Sequence, residues 1–242
     1  MKALLKIEWI QIWRNWPIFI MAIGLPVMFF LLISASMGTN TPTNQQIIQE
    51  YLFKMTAFSM SSFALFSFPV MLKEDRSNHY LLYIEHSPLK IGQYYLAKFI
   101  RILIYFLLSI VVTFLVGIFL RGVRFSLASV LLSGGFLLLS SLVYLAFGGL
   151  IAQISDNQKM SMVSNITFLG LAIIGGAWWP IEVFPKWLQT IAKITPTYQV
   201  NQVVIQIARK ATLAKLSLLI LLVYVIITTV MVLLIHRKRE VV

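Results

Sequence analysis

Few residues of this chain could do chemistry, and their spacing argues against catalysis. The imidazoles are His79, His86 and His236, and the chain has no cysteine. His79 and His86 are seven residues apart, about 10 Å along a helix, which is too far for both to bind one metal ion. The sequence has no HExxH pair, and no glycine is followed by lysine, as a P-loop requires. We therefore expect no catalytic residue, no metal and no cofactor on this chain, and any ATP must be bound by another protein.

The carboxylates also lie where buried acid–base chemistry is not expected. All eight acidic residues fall outside the centres of the long apolar stretches: Glu8, Glu50, Glu74, Asp75, Glu85, Asp156, Glu182 and Glu240. Intramembrane proteases and proton-coupled transporters place ionisable residues within their membrane spans. The sequence therefore predicts no pocket of converging buried charges, which argues against a membrane-embedded enzyme.

Six apolar stretches surround these residues, and each has about the 20 residues that a helix needs to cross roughly 30 Å of hydrocarbon. Their ranges are 17–37, 55–72, 99–120, 127–152, 160–179 and 216–235. Arg101 lies near the start of the third stretch, from which we expect its side chain to reach the interface. The sequence predicts an all-α polytopic membrane protein with six transmembrane helices, forming a single membrane domain over residues 1–242.

The composition supports a membrane location and argues against nucleic acid. Hydrophobic residues make up 59% of the chain and charged residues 12%, while the formal net charge is +12. Because the basic residues flank the apolar stretches, their expected partners are anionic lipid headgroups. The connection before the second span, 38–51, has no basic residue, whereas residues 73–101 have five. This bias places both termini and the 73–98 loop in the cytoplasm.

Residues 2–16 are predicted to form an amphipathic helix along the inner membrane surface. Helical spacing places Leu5, Trp9, Ile12, Trp13 and Trp16 on one face and Glu8, Gln11, Arg14 and Asn15 on the other. Lys2 and Lys6 flank the apolar side. One interpretation is a membrane anchor alone, and the other is an anchor whose polar face also contacts a cytoplasmic partner.

The loop 73–98 is the most distinctive polar segment. It begins with four charges, continues with an aromatic and apolar run, and is interrupted at Ser87-Pro88. Two short helices bent at this point would present Tyr80, Leu81, Tyr83 and Ile84 to a cleft on a soluble partner. The alternative is a plain loop folded against the helix ends.

The interior of the spans is small and weakly polar, with serines and phenylalanines in the second span and glycines, serines and asparagine in the fourth and fifth. Small residues allow close helix packing, which is one interpretation of this pattern. The other is a path for an amphipathic molecule, for which the candidate residues are Phe58, Ser62, Phe66 and Asn165. The outer segment 180–214, divided by three prolines, is too polar to span and is predicted to dip into the outer leaflet as a re-entrant lid.

The order of these features resembles that of the permease subunits of type-2 ABC exporters, which include bacterial drug and antibiotic exporters. The resemblance rests on the interfacial helix, the six spans, the inner loop KEDRSNHYLLYIEHSPLKIGQYYLAK and the outer stretch GGAWWPIEVFPKWLQTIAKITPTYQVNQ. It covers nearly the whole chain. The strongly basic outer segment departs from the simple pattern.

The resemblance implies a subunit in a bacterial cell membrane that exports a drug, antimicrobial peptide or lipid-like molecule and can contribute to multidrug or antibiotic resistance. ATP and Mg²⁺ would be bound by a separate ATP-binding cassette ATPase, and a second permease subunit would complete a homodimer or heterodimer. The ATPase-coupling residues would be Arg76, Tyr80, Leu81, Tyr83, Ile84 and Glu85. The alternative function is a membrane scaffold or immunity protein that binds a toxin or sensor partner without transport.

Overall fold

A computed structural model describes residues 2–36, 42–87, 89–123, 127–208 and 214–240, and within these ranges the chain is helical with short turns. We number ten helices in chain order. They are α1 Lys2–Arg14, α2 Trp16–Ser36, α3 Thr43–Ser77, α4 Tyr80–Glu85, α5 Ile91–Arg121, α6 Leu127–Ile151, α7 Asn157–Ile174, α8 Lys186–Ile194, α9 Pro196–Ala208 and α10 Lys215–Glu240. The predicted all-helical class is confirmed.

Five helices of the described part are long and apolar enough to cross a membrane: α2, α3, α5, α6 and α10. They correspond to the predicted spans at 17–37, 55–72, 99–120, 127–152 and 216–235. The remaining predicted span, 160–179, coincides largely with α7, whose 18 residues begin with Asn-Gln-Lys and are less apolar as a whole. The chain is thus a multi-pass membrane protein with five candidate spans, and the sixth span stays a prediction.

Helix α3 is the most deeply buried of the five candidate spans and forms the centre of the bundle. Its 35 residues correspond to about 52 Å, far more than the hydrocarbon thickness of about 30 Å. The helix begins well before residue 55, so the expected outer loop at 38–51 is helical over its described residues from 42 onward. Its other end carries the charged residues Lys73 to Arg76, which are helical rather than part of a loop.

The segment 180–214, of which residues 209–213 lie outside the described residues, contains two helices, α8 and α9, joined at Pro196. Helix α9 packs against α3, α6 and α10, and its side chains Val200, Val203 and Val204 are fully or almost fully buried. Gly175, directly after α7, allows the end of that helix to approach α9 closely, because an added Cβ would lie 2.5 Å from Thr197 Cβ. The re-entrant character and lid role of 180–214 stay predictions.

Candidate functional site

A cluster of four charges, three of them buried and the fourth, Asp75, partly buried, joins α1, α3 and α5 at one end of the bundle. Lys98 and Arg101, three residues apart on α5, lie on the same helix face. Lys98 Nζ is 2.7 Å from Glu8 Oε1 on α1 and 2.7 Å from Asp75 Oδ2 on α3. Arg101 Nη1 donates to Glu8 Oε2 at 3.0 Å. Two cations and two carboxylates therefore neutralise one another, and 16% of the Asp75 side chain is exposed.

Neutral side chains add further hydrogen bonds to this charge cluster. The hydroxyl of Tyr94 donates to Asp75 Oδ2 at 2.6 Å, and Arg101 Nε donates to the hydroxyl oxygen of Tyr105 at 2.8 Å. Arg101 also donates to Gln11 Oε1. Such satisfaction is what allows ionic side chains to be buried, since an unpaired buried charge is strongly destabilising.

Three expectations from the sequence are wrong at this cluster. Arg101 does not extend to the interface but is buried, with 4% of its surface exposed. Ile12 of α1, expected on the tryptophan face, is instead buried beside Leu4 and Glu8, whereas Trp9 and Trp13 are exposed. Buried ionisable residues do converge in this chain, although the sequence had predicted none. The sequence feature that could have indicated this convergence is Glu8, a carboxylate between the apolar residues Ile7 and Trp9 of α1.

Next to the charge cluster lies a cavity of about 790 Å³ between α1, α2, α3, α5 and α7. Its polar end is formed by Gln11, Arg14, Asn15, Glu74, Asp75, Asn78 and Arg101. Its apolar end is formed by Ile18, Met21, Leu25, Phe58, Phe66, Val70, Met71 and Phe168. The lining thus changes from charged to aliphatic and aromatic along the cavity, a pattern that suits an amphipathic molecule.

Aromatic contacts fix the apolar wall of the cavity. The rings of Phe58 and Phe168 are stacked with centroids 4.7 Å apart, and Phe66 meets Phe168 edge-on at 5.0 Å. Phe58 also contacts Trp178 at 5.7 Å. Offset and edge-to-face pairs of this kind each contribute about 0.5–1.5 kcal/mol beyond burial, so these rings form a defined surface.

The structure brings three of the four candidate path residues together. Phe58, Ser62 and Phe66 all line the cavity. Asn165 does not line it; its side chain is exposed on α7 and donates to the carbonyl oxygen of Ser161 at 2.9 Å. Reasoning from the sequence missed Phe168, which is on the same helix as Asn165 but contacts both cavity phenylalanines.

The candidate coupling residues occupy α4 and the end of α3, and they differ in exposure. Ile84 is buried with Leu4, Leu72 and Tyr94, so it is not part of an exposed surface. Tyr83 has 72% of its surface exposed, and the neighbouring Leu82 has 50% exposed. The side chains of Leu81 and Glu85 lie outside the described residues, although both are within the helix.

The remaining two coupling residues are tied to the bundle. Arg76 Nη1 donates to the carbonyl oxygen of Ala152 at 3.1 Å, linking α3 to the end of α6. Tyr80 packs on Tyr94, and its ring lies 6.0 Å from Lys98 Nζ. Burial, with a further contribution from the carboxylates of Glu8 and Asp75, raises the pKa of Tyr80. The phenol therefore stays neutral at physiological pH and acts as a packing group.

The bend between α3 and α4 has a strained backbone. His79 adopts φ of 55° in the left-handed region, which a residue with a Cβ enters at a cost of about 1–2 kcal/mol. This conformation reverses the chain within two residues, so that α4 folds back toward α5. The exposed Tyr83 is consequently held on a short helix with fixed packing on its other face.

Comparison with known proteins agrees with these features. The ABC-2 type transporter family matches residues 1–208 of this chain. A protein of Bacillus subtilis (strain 168) named "Putative transport permease YvfS" is 27% identical over 240 residues, covering 99% of this chain and 95% of that protein. The match therefore includes the charge cluster, the cavity and α4.

Proposed function

The chain belongs to the ABC-2 type transporter family, and from this premise we propose that it is the membrane-spanning subunit of an ATP-driven exporter of amphipathic molecules. The observation that carries the proposal is the cavity, whose lining changes from charged to aromatic. Its volume of about 790 Å³ is within the range of about 300–1,000 Å³ that is typical of small-molecule sites. Drugs, antimicrobial peptides and lipid-like molecules combine an apolar body with a polar group in this way.

In this proposal the apolar part of the cargo lies against Phe58, Phe66 and Phe168, and its polar group lies near Arg14 and Glu74. Burial of apolar surface contributes about 25 cal/mol per Å² and is nondirectional, so the aromatic wall selects for hydrophobicity rather than for one structure. The charged end then orients the molecule. Ser62 contributes a polar point within the apolar region.

A separate ABC ATPase supplies the energy, because the sequence contains no P-loop. We place its docking surface on α4, where Tyr83 and Leu82 are exposed beside the buried Ile84. Movement of α4 would reach the cavity through packed contacts, since Ile84 and Leu72 share one apolar cluster with Leu4 of α1. Leu81 and Glu85 belong to the same proposed surface.

The working unit in this proposal contains two permease subunits and two ATPase subunits in a bacterial cell membrane. Both termini of the chain lie in the cytoplasm, and residues 38–51 and 180–214 lie outside. Single cysteines introduced at Gln45 and Gln189 test this orientation, because the natural chain has none. Reagents that cannot cross the membrane should label both from outside intact cells, and labelling only from the cytoplasmic side would contradict the orientation.

The decisive experiment is purification from the native host in mild detergent, followed by mass spectrometry of the proteins that remain bound. A stoichiometric subunit with a P-loop is expected, and its binding should be lost in Tyr83→Ala but retained in Tyr83→Phe. Reconstitution of the complex should then give ATP-dependent movement of amphipathic probes, measured in vesicles. Reproducible absence of the ATPase would instead favour the scaffold or immunity function.

A further inference from the structure

Two membrane helices contain a π-helical turn that comes shortly before a proline. In α2 the turn is Ile20–Gly24 and the proline is Pro26, while in α3 the turn is Phe63–Ser67 and the proline is Pro69. Proline has no N–H to donate and its ring clashes with the carbonyl four residues earlier. A π-turn relieves this conflict, and such turns occur frequently at functional sites.

The first π-turn leaves a carbonyl that a side chain from another helix satisfies. The carbonyl of Ala22 is four residues before Pro26, so its usual helical donor is missing. Ser59 Oγ of α3 donates to this oxygen at 2.7 Å, and Ser59 is fully buried. In a nonpolar environment an unsatisfied carbonyl costs several kcal/mol, so this single bond stabilises the π-turn.

The second π-turn leaves a carbonyl that lies against a glycine. Phe68 donates its N–H to the carbonyl of Phe63 rather than to that of Ala64, and Pro69, the next residue, has no N–H. The Ala64 carbonyl therefore lacks both of its possible helical donors and points toward Gly148 of α6. A Cβ added at Gly148 would overlap the Ala64 oxygen and lie 3.1 Å from its carbon. Only a glycine leaves room for this carbonyl.

The second π-turn also changes the direction in which the later side chains of α3 face. Phe58, Ser62, Phe66, Val70 and Glu74 all line the cavity, at intervals of four residues. In an uninterrupted α-helix, with 100° per residue, Glu74 would lie about 160° around the axis from Phe58. A π-turn acts as one inserted residue, which reduces the angle by about 100° to about 60°. The π-turn thus brings Glu74 toward the face of α3 that carries Phe58, and Ser67, Met71, Asp75 and Asn78 line the cavity beside it.

We propose that Ser59 and Gly148 are positioning residues for the cavity: each holds one π-turn, and together they keep the apolar and polar ends of the wall aligned. The residues touch the π-turns rather than the cargo. The description of the cavity as a cargo site rests on the proposed function, but the positioning role itself does not.

The test uses single cysteines at Lys73 and Glu74 in inverted membrane vesicles, labelled with a water-soluble maleimide. With the π-turn intact, position 74 faces the cavity and should label faster than position 73. In Gly148→Ala the added methyl should displace the Ala64 carbonyl and return α3 to α-helical register, so that the fast position shifts by one residue, from 74 to 73. The matched control is Gly149→Ala, because its Cβ would meet its nearest atoms at an ordinary 3.8 Å.

A second pair of variants tests Ser59 independently. Ser59→Ala removes the hydroxyl that satisfies Ala22, whereas in the control Ser61→Ala the lost hydroxyl donates only to the carbonyl of Phe58 in its own helix, at 2.7 Å. Cysteines at the cavity-lining positions Met21 and Leu25 report the register of α2. We expect their relative labelling to change in Ser59→Ala and to stay as in the parent in Ser61→Ala.

The proposal is overturned if Gly148→Ala labels like Gly149→Ala, or if both serine variants give the parent pattern. Should Gly148→Ala fail to accumulate in the membrane, Pro69→Ala replaces it, since it restores the missing N–H without adding bulk. The same one-residue shift is then expected, and an unchanged pattern contradicts the positioning role. A shifted labelling pattern with unchanged transport of amphipathic probes would contradict only the proposed function, because the wall of the cavity would then have moved without any effect on the cargo.

Discussion

Removing the Glu8 carboxylate is the sharpest test of the buried charge cluster. Glu8 faces Lys98 and Arg101 at 2.7 and 3.0 Å, so Glu8→Gln leaves two buried cations with the single carboxylate of Asp75. Breaking a buried pair by removing one partner destabilises a protein by about 3–5 kcal/mol. For a chain of this size each kcal/mol lowers the melting temperature by about 2–4 °C. We therefore expect a decrease of about 6–20 °C.

The assay is thermal unfolding of the purified protein in lipid nanodiscs. The matched control is Glu74→Gln, since Glu74 is exposed and forms no ion pair among the described residues, and its change should stay within about 0.5 kcal/mol. Combining Glu8→Gln with Lys98→Gln restores charge balance, so the double variant should lose clearly less stability than the sum of the two single variants. Equal melting of Glu8→Gln and Glu74→Gln, or strict additivity in the cycle, would refute the reasoning.

Three further predictions concern α4 and the cavity. Replacing Tyr83 or Glu85 by Ala should loosen the ATPase or uncouple its hydrolysis from transport without lowering the melting temperature, and normal transport with normal complex assembly in both variants would contradict this. His79→Gly should raise the free energy of unfolding by about 1 kcal/mol, because glycine accepts the left-handed backbone without strain; denaturation that is unchanged or easier would show that φ is not the cause. Phe66→Ala should raise KM for amphipathic cargo by roughly tenfold at most through loss of aromatic contact, measured in reconstituted vesicles, and an unchanged KM would exclude Phe66 from the path.

Much of the fold could be predicted because one physical requirement dominates it. A helix must satisfy its backbone within the hydrocarbon, so an apolar run of about 20 residues leaves few other structures. The five runs that satisfy the length and composition requirements are continuous helices here. The run at 160–179 indicates a membrane span less clearly. The helix that contains it, α7, begins at Asn157, and its polar first turn lowers the mean hydropathy of the whole helix.

The contacts of the Glu8 side of α1 could not be predicted, because they are made with residues that are distant in the sequence. Amphipathic periodicity correctly separates the tryptophan side from the Glu8 side. It does not say that Lys98 and Arg101, 90 and more residues away, will neutralise Glu8 and turn that side toward the protein. Only the azimuth of α5 relative to α1 decides this, and a single sequence carries no direct information on that angle.

The residues around the cavity also divide into those that the sequence can indicate and those that only the tertiary structure identifies. Pro26 and Pro69 could have indicated where helices α2 and α3 depart from α-helical hydrogen bonding, because the missing N–H is a property of the residue itself. Ser59 and Gly148 accommodate the carbonyls that these prolines leave without a donor. Each belongs to a different helix from the proline concerned and has no special spacing from it in the sequence. A serine or glycine in a membrane helix is therefore interpretable as packing until the carbonyl it accommodates is known. Here the carbonyls of Ala22 and Ala64 give these two small residues a specific role, which the labelling experiments above can separate from packing alone.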